Sequence, residues 1–170
     1  TGRSKGAMIT QENLLSNAKT LKEYWHFSSK DNLIHALPIY HTHGLFVATN
    51  IILAASAKMT FLEKFELETL IENLPYATVL MGVPTYYSRL LDSNQLTKLL
   101  VKNIRLFISG SAPLTKETND RFFKETGKRI LERYGMTETN MICSNPYKGK
   151  RISGKVGFPL PGINVRVVDQ

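Results

Sequence analysis

Short apolar runs alternate along this chain with stretches of helical periodicity, and that alternation limits the folds open to it. "TQENLLSNAKTLKEYWHF" starts on Thr10 with acidic and amide residues just behind it, and Leu14, Leu15, Ala18 and Leu21 follow at helical spacing. This predicts a capped amphipathic helix. "DNLIHALPIY" is an apolar run stopped by Pro38, which suits a buried strand. "KMTFL", "ATVLMGVP", "IRLFISGSAPL", "RILERYG" and "NMICSN" predict further strands. "ELETLIENL", "TYYSRLLD" and "TKETNDRFFKET" predict helices, the last capped by Thr115 and stopped by Gly127. The closing "GKVGFPLPGINVRVVDQ" reads as Gly/Pro turns followed by an alternating β run. Together these elements predict an α/β fold, a largely parallel sheet flanked by helices.

Composition narrows the partners. The net charge of +8 admits nucleic acid, an anionic membrane surface, or an anionic metabolite such as ATP or coenzyme A. The Lys and Arg residues are dispersed rather than blocked, which reads as a solvated surface and argues against a polynucleotide. The single Cys143 excludes an intramolecular disulfide and a cysteine-based zinc site, and fits a reducing compartment. Leu45 to Ala57 is the longest apolar stretch; it contains Thr49 and Asn50, is too short to span a bilayer, and reads as a buried helix. The chain opens on Thr1 rather than Met and stops at Gln170 straight after a predicted strand. Residues 1–170 are therefore expected to be a portion of a larger domain.

Four stretches carry possible chemistry. "TGRSKG" brings small residues and a Lys together, as a phosphate-holding loop would, but a plain turn before a helix has the same wording. "LPIYHTHGLF" sets His41 and His43 between a strand end and a helix start, where α/β enzymes place ligand-contacting groups. Structural hydrogen bonds would explain the same pair. "FISGSAPLT" offers free backbone N–H and C=O groups at a strand end, suited to a planar base edge or to a simple connector. "ERYGMTETN" supplies a flat Tyr134, a Gly135 that permits close approach, the Thr137 hydroxyl, and a Glu138 carboxylate able to hold Mg²⁺ beside phosphates. Each is ambiguous alone.

In combination and in this order, "TGRSKG", "PIYHTHG", "GSAPL" and "YGMTE" resemble the motifs of the acyl-adenylate-forming (AMP-binding) superfamily. "GKVGFPLPG" is similar to its later glycine-rich segment. The wording of "LPIYHTHGLFVATN", "MGVPTYYSRLL" and "ERYGMTETNM" resembles the malonyl-CoA synthetase branch in particular. The resemblance implies a portion of the large N-terminal domain of an acid–thiol ligase that uses ATP, Mg²⁺ and coenzyme A. It implies no nucleic-acid partner, no membrane span and a cytoplasmic or, in a eukaryote, mitochondrial location.

It also implies roles. Thr1, Gly2 and Lys5 would hold the β- and γ-phosphates, and Gly110, Ser111 and Ala112 would edge the base. Tyr134 would stack on adenine, Gly135 and Met136 would lie against the nucleotide, Thr137 would contact the α-phosphate, and Glu138 would hold the metal. His41 would position the reacting carboxylate, with Thr42 and Met141 lining the acyl pocket. A short diacid also calls for a buried cation. Arg89 is the candidate, on a helix whose neighbours Leu90 and Leu91 look core-facing, although a solvent-facing Arg would look the same. Ser4 stands where many members have Pro. The front of the phosphate loop, the ribose-binding Asp and the C-terminal domain with its catalytic Lys lie outside the sequence, so the chain alone is expected to be inactive. The alternatives are activation of another short or dicarboxylic acid and, in a different class, a basic phosphate- or nucleic-acid-binding module whose binding would be salt-sensitive.

Overall fold

The computed structural model describes residues 6–169; Thr1, Gly2 and Lys5 lie outside them. A seven-stranded sheet in the order β2-β1-β3-β4-β5-β6-β7 forms the middle layer. β1 (Asn32–His35), β2 (Lys58–Phe61), β3 (Val79–Gly82), β4 (Leu106–Ser109) and β5 (Leu131–Met136) pair in parallel. β6 (Asn140–Ser144) and the two-residue β7 (Phe158–Pro159) add antiparallel pairs at one edge. The sheet is thus mixed, with its parallel part as expected.

The central strands are apolar on both faces because both faces are covered. Leu33, Val79, Met81, Leu106, Ile108 and Leu131 share one core with Leu21 and Trp25 of α1 (Gln11–Tyr24) and its flank, and with Ile51 and Ile52 of α2 (Asn50–Ala55). Ile34, Leu80, Phe107 and Ile130 turn the other way, towards α3 (Leu67–Asn73), α4 (Pro84–Asp92) and α5 (Lys116–Thr126). There Tyr87, Phe107 and Phe122 meet edge to face, with centroids 4.8–6.4 Å apart.

Helix ends follow the sequence signals. Thr10 caps α1 in a capping box completed by Asn13, and Thr115 caps α5, which stops at Gly127 in the left-handed region (φ 72°). Two expectations need correction. The helix expected from Leu45 begins two residues earlier as a π-helical turn, His43–Thr49, that runs into α2. The reason is local: a Cβ at Gly44 would collide with the Pro38 carbonyl, and only glycine lets the chain pack that close. Second, the alternating run after Gly162 forms no strand; Val165, Val167 and Val168 are exposed, and a strand requires a partner to satisfy its ladder. Among the described residues no helix is long and apolar enough to cross a membrane.

At the amino end of the strands, away from the motif loops, Asp31 and Arg105 tie the sheet to α1. Arg105 donates from Nε to Asp31 Oδ1 (2.7 Å) and from Nη2 to Oδ2 (2.9 Å), and its remaining donors reach the carbonyls of Trp25 and His26. Asp31 is buried and also accepts from the Ser28 N–H and the Thr78 hydroxyl. Burial alone would raise its pKa, but these donors and the guanidinium outweigh it and hold the carboxyl below the usual range.

Candidate active site

Among the described residues, the motif loops leave the carboxyl ends of parallel strands, which is where an open α/β sheet binds ligands. The loop after β1 carries Pro38, His41 and Thr42; the turn after β4 carries Ser111 and Ala112; β5 carries Tyr134 to Met136, and Thr137 and Glu138 lie in the turn to β6. A cavity of about 670 Å³ opens between them. His41, Thr42, Ser111, Gly135, Met136, Thr137, Glu138 and Met141 all line it, with Leu37, Val83 and Tyr86 as apolar wall. A neighbouring cavity of about 360 Å³ is lined by Ser111, Ala112, Pro113, Tyr134 and Gly135, together with Gly154 and Val156. Ser111, Arg133 and Gly135 border both.

Backbone geometry shapes this edge. Ser111 sits at φ 69°, a left-handed conformation that costs a non-glycine residue roughly 1–3 kcal/mol and is typical of functional turns. Gly135 lies where β5 shifts register against β6, and a Cβ there would strike the Asn140 carbonyl and the Met141 side chain. Gly44 accepts through its carbonyl from His35 Nε2 (2.9 Å) and Thr49 Oγ1 (3.1 Å), which fixes the start of the π-helical turn beneath the cavity.

The cavity is graded from mouth to floor. His41, Thr137 and Glu138 are exposed, whereas Leu37, His43, Arg133 and Met141 are buried. Glu138 is a single exposed carboxylate, and among the described residues no cluster of three or more His, Cys, Asp or Glu forms a metal cage. A metal at this place would take most of its ligands from phosphate and water, as Mg²⁺ does.

Tyr134 is half exposed on the wall of the smaller cavity. Gly110 lines neither cavity but backs onto the Arg133 guanidinium so closely that a Cβ would overlap it. Arg89 is also apart from both cavities. Leu90 and Leu91 are buried as expected, but the buried stripe Tyr86, Tyr87, Leu90 and Leu91 leaves position 89 outside it. The Arg89 guanidinium lies 5.5 Å from the Phe65 ring centroid, and Phe65 in turn stacks on Tyr86 (4.0 Å).

Two residues without an assigned role from the sequence stand at the floor. His43 is buried, with Nδ1 3.4 Å from the Ser111 hydroxyl and Nε2 without a partner. Burial, reinforced by the nearby Arg133 and His35, holds its pKa well below the ordinary value, so its ring is neutral at pH 7. Arg133 is 4% exposed, and burial pushes its pKa down to about 10, still charged at neutral pH. The available signal was the period of two along β5, which puts Arg133 on the same face as the core residue Leu131.

The chain belongs to the AMP-binding enzyme family, whose model matches residues 1–170. Among its relatives, the malonate–CoA ligase of Arabidopsis thaliana is 36% identical over 98% of this chain and 31% of its own length. The mitochondrial malonate–CoA ligase of Mus musculus is 36% identical over 100% of this chain and 32% of its own. Among solved structures, ATP-bound MatB from Rhodopseudomonas palustris superposes with a TM-score of 0.97 at 58% identity, over 99% of this chain and 34% of that one. The chain therefore spans about a third of the length of the relatives it matches.

Proposed function

We propose that this chain forms the acid- and nucleotide-binding face of an AMP-forming acyl-CoA synthetase that activates malonate. A carboxylate oxygen of the acid attacks the ATP α-phosphate, the bond to pyrophosphate breaks, and acyl-AMP results. The coenzyme A thiolate then attacks the acyl carbon, AMP leaves, and the thioester forms.

The observation that carries this reading is convergence: His41, Thr42, Ser111, Gly135, Thr137, Glu138 and Met141, from distant stretches of sequence, line one cavity. Thr137 and Glu138 at its mouth suit the α-phosphate and a bound Mg²⁺, which would neutralise charge on the phosphates. Tyr134 suits adenine in the smaller cavity, edged by Gly110, Ser111 and Ala112, with Gly135 and Met136 against the nucleotide. His41 at the mouth would orient the reacting carboxylate, and Thr42 and Met141, which line the same cavity, would bound the acyl space. Thr1, Gly2 and Lys5, outside the described residues, would hold the β- and γ-phosphates. Both steps develop negative charge, so alignment and electrostatic preorganisation carry most of the acceleration. The identity shared with malonate–CoA ligases supports the choice of acid.

The test is a panel of acids at equal concentration, with thioester formation followed by mass in a protein of the relatives' full length carrying this sequence. Malonate is expected to give the highest kcat/KM. Equal or faster turnover of acetate, methylmalonate or succinate would replace malonate by that acid.

A further inference from the structure

We propose that Asn17 of α1 is a positioning residue for substrate selection: its side-chain amide holds the Met141 backbone and so sets where the apolar wall of the acid cavity stands. This rests on the malonate reading above, in which Met141 bounds the acyl space. Asn17 Nδ2 donates to the Met141 carbonyl (2.9 Å), and the Met141 N–H donates to Asn17 Oδ1 (3.3 Å). The amide thus meets both polar groups of one residue, as a neighbouring strand would, from 124 positions away in sequence. Asn17 is half-buried and lines neither cavity, so it reaches a ligand through Met141.

The strand itself leaves this position loosely defined. β5 and β6 shift register between Tyr134 and Gly135, pairing Tyr134 with Cys143 but Gly135 with Met141, which leaves Ile142 as the extra residue of a bulge. A bulge disrupts the ladder locally and re-aims the side chains beside it. Just before it Asn140 sits at φ 55°, and its buried Oδ1 has no partner among the described residues. On the other edge of β6, β7 pairs at Cys143 and Ser144, and the Leu160 N–H reaches the Ile142 carbonyl; at Met141, α1 takes over through Asn17. The side chain held this way is buried, lines the acid cavity and packs over Gly135, where a Cβ would strike it. Methionine is unbranched and adapts its shape readily, so the wall it forms is only as fixed as its backbone. A second link joins α1 and its flank to β6, the bond from Trp25 Nε1 to Ser144 Oγ (2.9 Å). It ties helix to strand without engaging the Met141 backbone, which makes it the natural control.

The experiment compares wild type, Asn17→Ala, Asn17→Asp and Ser144→Ala in a protein of the relatives' full length, with malonate and the bulkier ethylmalonate as paired acids. Pyrophosphate release gives kcat and KM for each acid and for ATP, and melting of the ligand-free proteins is recorded. Asn17→Ala should lower the ratio of kcat/KM for malonate to that for ethylmalonate roughly tenfold, the scale on which an apolar pocket discriminates one methylene. KM for ATP should stay at its wild-type value. Asn17→Asp should behave like Asn17→Ala, because a carboxylate still accepts from the Met141 N–H but has no proton to give the carbonyl. Ser144→Ala should melt below wild type, as Asn17→Ala does, yet keep the wild-type ratio. An unchanged ratio in a folded Asn17→Ala, an equal loss for both acids, a raised KM for ATP, or the same change of ratio in Ser144→Ala would each overturn the proposal. If Asn17→Ala fails to fold, Asn17→Asp decides, and a wild-type ratio there overturns the proposal. If neither folds, the amide holds the fold and not the wall, which overturns it too. A wild-type enzyme that handles ethylmalonate as well as malonate would instead contradict the malonate reading itself.

Discussion

Arg105→Ala is expected to cost about 3–5 kcal/mol of stability, the usual penalty for removing one partner of a buried pair. On a domain of this size that corresponds to a fall in Tm of roughly 6–20 °C by calorimetry. The magnitude follows from the surroundings. The Asp31 side chain is 4% exposed, and it would be left with two weaker donors, the Ser28 N–H and the Thr78 hydroxyl. The carbonyls of Trp25 and His26 would lose their donor as well, and the guanidinium would no longer cover the rings of Phe27 and Tyr147, 5.2 and 5.3 Å away. The pH dependence has a definite sign. Because the folded-state pKa of Asp31 is depressed, its contribution is fully present above the unfolded value and is lost as pH falls through the folded one. Below about pH 4 the wild type should therefore lose stability more steeply than Arg105→Ala. A Tm shift below about 2 °C, or parallel acid limbs, would show that the pair is structurally incidental.

Glu138→Gln is expected to leave the fold and its melting unchanged, since Glu138 is exposed and makes no hydrogen bond or ion pair among the described residues. In a protein of the relatives' full length it should lower kcat for acyl-adenylate formation by roughly 10²–10³-fold, the range for losing one preorganised group that stabilises developing charge. It should also shift the Mg²⁺ concentration needed for half-maximal rate upward, because the amide is a weaker ligand than the carboxylate. An unchanged Mg²⁺ requirement would remove the metal role from Glu138.

Much of this architecture is legible in the residues. β1, β3 and β4 are short apolar runs without alternation, as strands covered on both faces must be, and α5 carries its own cap in Thr115 and its own stop in Gly127. The β run after Gly162 was not decidable locally, because a strand depends on a partner that its own sequence does not supply. The π-helical turn at His43 follows from a contact between Gly44 and Pro38 that no periodicity encodes. At the site, the motif positions were legible as a set, and their meeting at one strand edge needed the strand order. Arg89 sits among apolar neighbours in sequence, but successive helix residues are turned by about 100°, so buried Leu90 and Leu91 leave it at the surface. Arg133 sits beside polar motif residues, yet the period of two places it with Leu131 in the interior.

Malonate-dependent exchange of labelled pyrophosphate into ATP isolates the first half-reaction, the one assigned to the cavity at the strand ends. It should be measured in a protein of the relatives' full length, without coenzyme A, so that label returns to ATP only by reversal of acyl-adenylate formation. The expected result is exchange that requires malonate and Mg²⁺ and collapses in Glu138→Gln. Exchange independent of malonate, or unaffected by that substitution, would contradict the assignment of adenylate chemistry to this cavity.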